Sequence, residues 1–464
     1  MFRPVKVIDI ELSRPLNDVE NLEGYGALKA LVRWQGSPVG YANVPITAGC
    51  CRATALRQAI LDQLGSNLFQ RKLYLEMAES FFLEEARRDS GLDTPPDDSR
   101  DLPLITVAVC TRNRVSDLPL CLNALMALDY ARLDLLLIDN APDDDSAERL
   151  LKTNFRDVRY IREPRPGLDW ARNRAITEAR GEIIAFTDDD VIVDPGWVAA
   201  LARVFVESPE VMAVTGLVVP FELETEAQIL FERFYGFGKG FVRKRYHIDR
   251  GRSRKEKFHV RAGRFGTGAN MSFRRSLFEK IGNFDPALDV GTVTNGGGDL
   301  EMFFRVIQEG YTLIYEPSAI VRHRHRREYA DLHAHMRNWG IGTYSYLVRS
   351  ALSYPSMRLE IVRFGLKWLW KGNLRRLVKN LLRPSGIPYD LICAQLLGSL
   401  FGLFRYQKAG SIAAKIARNF EPPAKAHLAV THMPLKPVTE ATRTQAIASF
   451  ISVHSSLPSK TTDI

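Results

Sequence analysis

The chain has 464 residues, 45% of them apolar and 25% charged, a balance that excludes bulk disorder, a collagen-like chain and a multi-span membrane protein. That length implies one large catalytic unit with smaller additions. The net charge of +9 is concentrated at 239–264 and 322–383, which implies anionic partners: nucleotides, lipid head groups or nucleic acid.

The opening MFRPVKVIDIEL lacks the apolar run of a secretory signal. Five cysteines (Cys50, Cys51, Cys110, Cys121, Cys393) form no CxxC pair, zinc spacing or disulfide framework. Both point to a reducing, cytoplasmic setting. Residues 1–90 read as a small α/β unit, with strand character at 5–12, 27–34 and 39–44 and helical apolar spacing at 52–64 and 70–86. Nothing in it forms a catalytic set. Residues 91–101, polar with two prolines, read as a linker.

From 102 to 330, strands (104–110, 133–139, 157–161, 182–187, 211–219) alternate with helices (117–128, 146–154, 168–179, 195–206). This predicts an α/β fold: a Rossmann-type, mainly parallel sheet with helices on both faces. Ligands bind such sheets at the carboxyl ends of the strands. Residues 331–420 read as helical and basic. The stretch 360–382, with Trp368 and Trp370, suits either an anionic membrane face or a subdomain packed on the core. Residues 387–404 are apolar but interrupted by Pro388, Asp390 and Gln395, marginal for a span that needs about 20 apolar residues. The segment 421–464, rich in Pro, Thr, Ser and Lys, is expected to be disordered.

The strongest chemical signal is TDDDV (187–191) at a strand end. Three adjacent carboxylates repel one another unless a cation sits among them. Mg²⁺ or Mn²⁺ prefers oxygen ligands and binds diphosphates jointly with such acids; the alternative is a solvated acidic turn. Asp139, ending a second strand in LLLIDNAPDDD, is placed to accept from a ribose or base, or to cap the next turn. Thr111, Asn113 and Arg114 in VAVCTRNR follow the first strand, to meet a nucleotide or cap a helix.

VAVCTRNR, LLLIDNAPDDD, RPGLDWARNRAI (165–176), GEIIAFTDDDV, GTGANMSFRR (266–275) and GGGDLEMFFRV (296–306) occur in order. Together they resemble the family 2 glycosyltransferases with the GT-A fold, over roughly residues 103–327. The resemblance implies a nucleotide-sugar donor, a divalent metal and inversion at the anomeric carbon. By position, Thr111 and Asp139 contact the nucleoside, Asp188 faces the ribose and Asp190 ligates the metal, with Asp189 able to share either role. Arg172 and Asn173 fall near the nucleotide or pack the helix start. Gly268 and Asn270 floor the donor sugar.

The resemblance makes Asp299 the base, because a sugar hydroxyl is a poor nucleophile until a carboxylate takes its proton. The family's Glu-Asp pair is here Gly298-Asp299; Glu301 reads as structural. His323, in VRHRHRRE, resembles the later histidine that completes the metal shell, and His325 points the same way on an extended strand. No GxGxxG lies between a strand and a helix, and there is no Walker A string, which disfavours dinucleotide oxidoreductases and P-loop enzymes.

The implied function is metal-dependent glycosyl transfer to a hydroxyl of a saccharide or lipid-linked acceptor, in cell-envelope or exopolysaccharide synthesis, with peripheral contact to an anionic membrane. Two other readings stay open. One is a catalytically silent nucleotide-sugar binder, fed by Gly298. The other is a basic nucleic-acid-binding protein, opposed by the lack of a nucleic-acid motif and by the acids at the sheet mouth.

Overall fold

The computed structural model describes residues 2–66, 68–69, 102–248, 258–382 and 386–420. The helix expected at 70–86, the linker at 91–101 and the tail at 421–464 lie outside the described residues. The described residues form one compact unit.

Near its start, β1 (Val5–Glu11) pairs in parallel with β2 (Ala27–Trp34), which hairpins into antiparallel β3 (Ser37–Pro45). Helix α1 (53–66) buries Leu56, Ile60 and Leu64 against Leu28, Val32 and Val44 of this sheet.

The large sheet arises from apolar runs buried on both faces, as parallel strands require. Its parallel half is β4 (Ile105–Thr111), β5 (Leu133–Asn140), β6 (Arg159–Glu163) and β7 (Ile183–Asp188), in the order β6–β5–β4–β7. Alternation along β4 sends Val107 and Val109 to one core and Ala108 to the other. The first core is covered by α2 (Leu118–Met126), α3 (Ser146–Asn154) and, after the short β8 (Val191–Val193), by α5 (Trp197–Glu207). The second takes α4 (Leu168–Glu178).

Strand β9 (Val211–Pro220) lies one place away from β7, because β11 (Met271–Arg274) inserts antiparallel between them. Helix α6 (Glu226–Phe234) and β10 (Lys244–Tyr246) precede β11; α7 (Ser276–Ile281) and α8 (Gly298–Gln308) follow it and bury Phe278 and Phe303 in the second core. Strand β12 (Thr312–His323) runs parallel to β9 and antiparallel to β8 and β10. The β8–β12 register sets His323 opposite Val191, the residue after the triple aspartate.

Helices α9 (Tyr329–Ser353) and α12 (Tyr389–Phe420) run side by side in the same direction: Tyr329 bonds Asp390, and Gly398 lies against Arg337. A Cβ at Gly398 would come 2.0 Å from the Arg337 carbonyl oxygen, so a side chain there would push the two helices apart. Between them come α10 (Arg358–Lys367), a π-helical turn (Trp368–Leu374) and α11 (Arg375–Leu382). Among the described residues no helix is long and apolar enough to cross a membrane, the interrupted run at 387–404 included.

The N-terminal sheet is tied to the large one by charge. Arg33 pairs with Asp9 (2.5 Å) and Asp194 (2.6 Å), Arg322 reaches the same two acids, and Lys29 pairs with Glu232 (2.6 Å). Part of the basic run beginning at 322 is therefore consumed in structural ion pairs.

Candidate active site

A cleft of about 710 Å³ opens at the carboxyl ends of β4 and β7. Thr111 and Arg114 come from the end of β4, and Asp188, Asp189 and Asp190 from the end of β7. Arg172, Gly268, Asp299 and His323 complete the expected residues that line it.

The three aspartates divide their work. Asp189 turns inward: its Oδ2 accepts from the Thr111 hydroxyl (2.8 Å) and its Oδ1 pairs with Arg114 (2.5 Å). Burial pushes it up to about 6 despite Arg114. It anchors the turn and leaves its neighbours to face the hollow. Ligand atoms of Asp188, Asp190 and His323 lie within 4.8 Å of one another, with the His323 Nε2 3.6 Å from Asp190 Oδ1. Burial, then the neighbouring Asp190, pushes Asp188 up to about 7, while burial lowers His323 to about 4. The imidazole is thus held neutral, and of the two carboxylates Asp188 is the harder to ionise. Two carboxylates crowded beside a neutral imidazole are the donor set for a hard-to-borderline divalent cation, so the residues fit Mg²⁺ or Mn²⁺.

Behind His323 runs a buried relay. Its Nδ1 lies 3.3 Å from the Nδ1 of His325, the His325 Nε2 lies 3.3 Å from Glu232, and Glu232 holds Lys29 of the N-terminal sheet. The carboxylate end orders the protons. Glu232 accepts from His325 Nε2–H, so His325 Nδ1 accepts from His323 Nδ1–H, and the His323 Nε2 lone pair faces Asp190. Glu232 was invisible to sequence reasoning because it lies 93 residues from His325, on α6.

Asp299 sits in the first turn of α8. The Gly268 N–H donates to its Oδ2 (2.9 Å) and the Leu300 N–H to its Oδ1 (2.8 Å), which fixes the carboxylate at the cleft wall. The missing glutamate at 298 has a steric counterpart. A Cβ there would lie 2.1 Å from Asp169 Oδ2, so Asp169 fills the space that a side chain at 298 would need. Asp169 is fully buried, holds Arg172 through Oδ1 (3.0 Å), and is pushed up to about 7, chiefly by burial. Its signal was an acid three residues before Arg172 on a helix opening at a strand end. Lys239, also overlooked, lines the cleft; burial lowers its pKa while Asp299 opposes the shift.

Four expected contacts do not line the cleft. Asn270 is fully buried: its Oδ1 accepts from the Trp197 indole N–H (2.9 Å) and its Nδ2 donates to the Leu217 and Ala319 carbonyls. It locks β11 to its neighbours and has no amide group left for a sugar. Asn173 donates to and accepts from the Phe284 backbone, Asn113 bonds Asp143, and Asp139 is buried under the Tyr160 hydroxyl (2.8 Å). His325 is committed to the relay, and Glu301 is buried against Arg305 (2.7 Å), as a structural residue should be.

The family model for glycosyl transferase family 2 matches residues 106–282, which hold β4, the triple aspartate and β11. That segment is similar to the glycosyl transferase family 2 domain. The chain is 23% identical over 242 residues to the glucosyl-dolichyl phosphate glucuronosyltransferase of Haloferax volcanii, a match covering 47% of this chain and 69% of that protein. It is 24% identical over 305 residues to the pre-mycofactocin glycosyltransferase of Mycobacterium tuberculosis, covering 63% and 58%. The human polypeptide N-acetylgalactosaminyltransferase 6 is 26% identical over 208 residues, covering 41% of this chain but only 32% of that protein. Among solved structures, a mannosyltransferase from Pyrobaculum calidifontis in complex with GDP-Man and Mn²⁺ is similar at a TM-score of 0.38 and 18% identity, over 80% of this chain and 87% of that one.

Proposed function

We propose that this glycosyltransferase moves a sugar, with inversion, from a nucleotide-sugar donor to a hydroxyl of a saccharide or lipid-linked acceptor, in a divalent-metal-dependent reaction of cell-envelope or exopolysaccharide synthesis. The observation that carries the reading is the sharing of one cleft by the Asp188–Asp190–His323 group and Asp299. Asp188, Asp190 and His323 would hold the ion, which when bound supplies positive charge to the donor's diphosphate. Arg114, held beside Asp190 (3.1 Å), and Arg326, also lining the cleft, add cationic character where the leaving group gathers charge.

Asp299 takes the proton of the acceptor hydroxyl as its oxygen bonds the anomeric carbon. The bond from that carbon to the diphosphate oxygen breaks, and the nucleoside diphosphate leaves. The two backbone N–H donors hold the Asp299 carboxylate in place for this transfer. Asp299→Asn tests the role. Transfer should fall ~100-fold or more while donor affinity stays within about twofold; near-normal transfer would remove Asp299 from it.

Peripheral membrane contact is supported by one exposed apolar stripe. Leu359, Val362, Leu366, Trp370, Leu374 and Val378 recur every three or four residues along α10, the π turn and α11. Arg363, Lys367, Lys371, Arg375 and Lys379 run beside it, each four residues from the last. An apolar stripe edged by cations suits an anionic lipid surface.

A further inference from the structure

A second cavity of about 590 Å³ adjoins the cleft and shares Gly263, Leu300, Trp339 and Thr343 with it. Leu300 follows Asp299, so the common wall is also the wall beside the candidate base. Four cations line this cavity, Arg261, Arg264, Lys367 and Lys371, and among the described residues no carboxylate does. Among the described residues none of the four is paired with an acid. In the cleft, Arg114 and Arg172 are held by acids; the positive charge of this second cavity is not offset in that way. It sits against aromatic rings, Trp339 and Trp368 among them.

Cations alone would suit any anion, and rings alone any apolar body. Together they select a molecule with an anionic head and an apolar portion. The π-helical turn links this chemistry to the protein's exterior, since Trp368 and Lys371 line the cavity while Trp370, between them, is 58% exposed in the apolar stripe. Such widened turns recur at functional sites.

We propose that this cavity is the acceptor subsite and that it binds the phosphate and first apolar units of a lipid-phosphate-linked acceptor, whose sugar hydroxyl then reaches Asp299 across the shared wall. The assignment rests on the transferase reading above. It places the acceptor's anion on a set of cations separate from Arg114 and Arg326 of the donor side.

The test is calorimetric titration of the full chain, with Mn²⁺ present, using a short-chain prenyl monophosphate below its aggregation concentration. The intact chain should bind it. The Lys367→Gln/Lys371→Gln pair should weaken binding by about tenfold or more, and Trp368→Ala by a similar factor. Lys408→Gln/Lys415→Gln, which removes two exposed cations of α12 away from the cavity, should leave affinity within about twofold. The uncharged prenol and inorganic phosphate should each bind at least about tenfold more weakly than the prenyl phosphate. Absent binding, equal binding by the Lys367/Lys371 variant, equal loss in the α12 control, or equal affinity for prenol or free phosphate would overturn the proposal. Mn²⁺-dependent hydrolysis of a nucleotide sugar by the same unaltered preparation tests the transferase reading separately.

Discussion

Glu232→Gln probes the link between the N-terminal sheet and the metal group. The substitution keeps the side-chain shape and removes the charge that orders the relay. A glutamine can present an amide N–H to His325 Nε2, which would shift the His325 proton to Nδ1. His323 Nδ1 would then have to accept, its Nε2 would carry the proton, and the lone pair facing Asp190 would be lost. Glu232 and His325 are both shielded from solvent, so water offers little compensation for the 3.3 Å contact. Loss of such an outer partner costs 10–100-fold in metal affinity, and an effect passed through two imidazoles belongs at the lower end. We expect Mn²⁺ affinity to fall about tenfold, or about 1.4 kcal/mol. Lys29, deprived of its carboxylate, adds a stability loss of its own, which circular dichroism at the titration temperature would separate. Electron paramagnetic resonance of free Mn²⁺ measures the affinity, and nitrogen NMR of the two histidines reads the tautomers. Unchanged Mn²⁺ affinity and unchanged tautomers in Glu232→Gln, alongside abolished binding in His323→Ala, would refute the ordering role.

Four further outcomes follow from the structure. The ion must displace a proton from Asp188, whose pKa stands at about 7, whereas His323 is already neutral; Mn²⁺ should therefore raise the melting temperature more at pH 8 than at pH 6, with proton release seen by calorimetry in buffers of different ionisation enthalpy. Unfolded histidines shed their last protons as pH passes 6.5, a smaller opposing effect, while near pH 7 folded Asp188 and Asp169 keep protons that unfolded aspartates, titrating near 4, have lost. Their contribution makes the ion-free chain less stable as pH rises through 7, and a stability that rose from pH 6.5 to 8 would contradict it. Gly298→Ala places a methyl against Asp169 and should cost about 1–3 kcal/mol in denaturant unfolding, and no loss at all would mean that Asp169 moves freely. Leu366→Asp/Trp370→Asp should abolish sedimentation with vesicles containing anionic phospholipid, and equal sedimentation would rule out the stripe as the contact.

Much of the catalytic sheet was legible because its strands are buried on both faces and so read as unbroken apolar runs. The triple aspartate was legible as a candidate site because it ends such a run. The separate duties of Asp188, Asp189 and Asp190 were not, since they depend on how β8 turns to meet β12. Asn270 illustrates the same limit. Its residue type suits a sugar contact equally well, and only the proximity of Trp197 and two carbonyls decides that it bonds inward. Asp169 and Glu232 act through partners brought close by the fold, and neither sits in a motif that marks them. The separation of β9 from β7 was hidden because β11 is only four residues long.

The central claim is that Asp188, Asp190 and His323 hold an ion that binds the donor's diphosphate in the hollow shared with Asp299. Melting temperatures measured with UDP-, GDP- and TDP-sugars, each with and without Mn²⁺, test it most directly in the unaltered chain and in Asp190→Ala. One donor should raise the melting temperature of the unaltered chain only when Mn²⁺ is present, and Asp190→Ala should lose that increment. An equal rise in Asp190→Ala, or a full rise without any divalent ion, would contradict the claim.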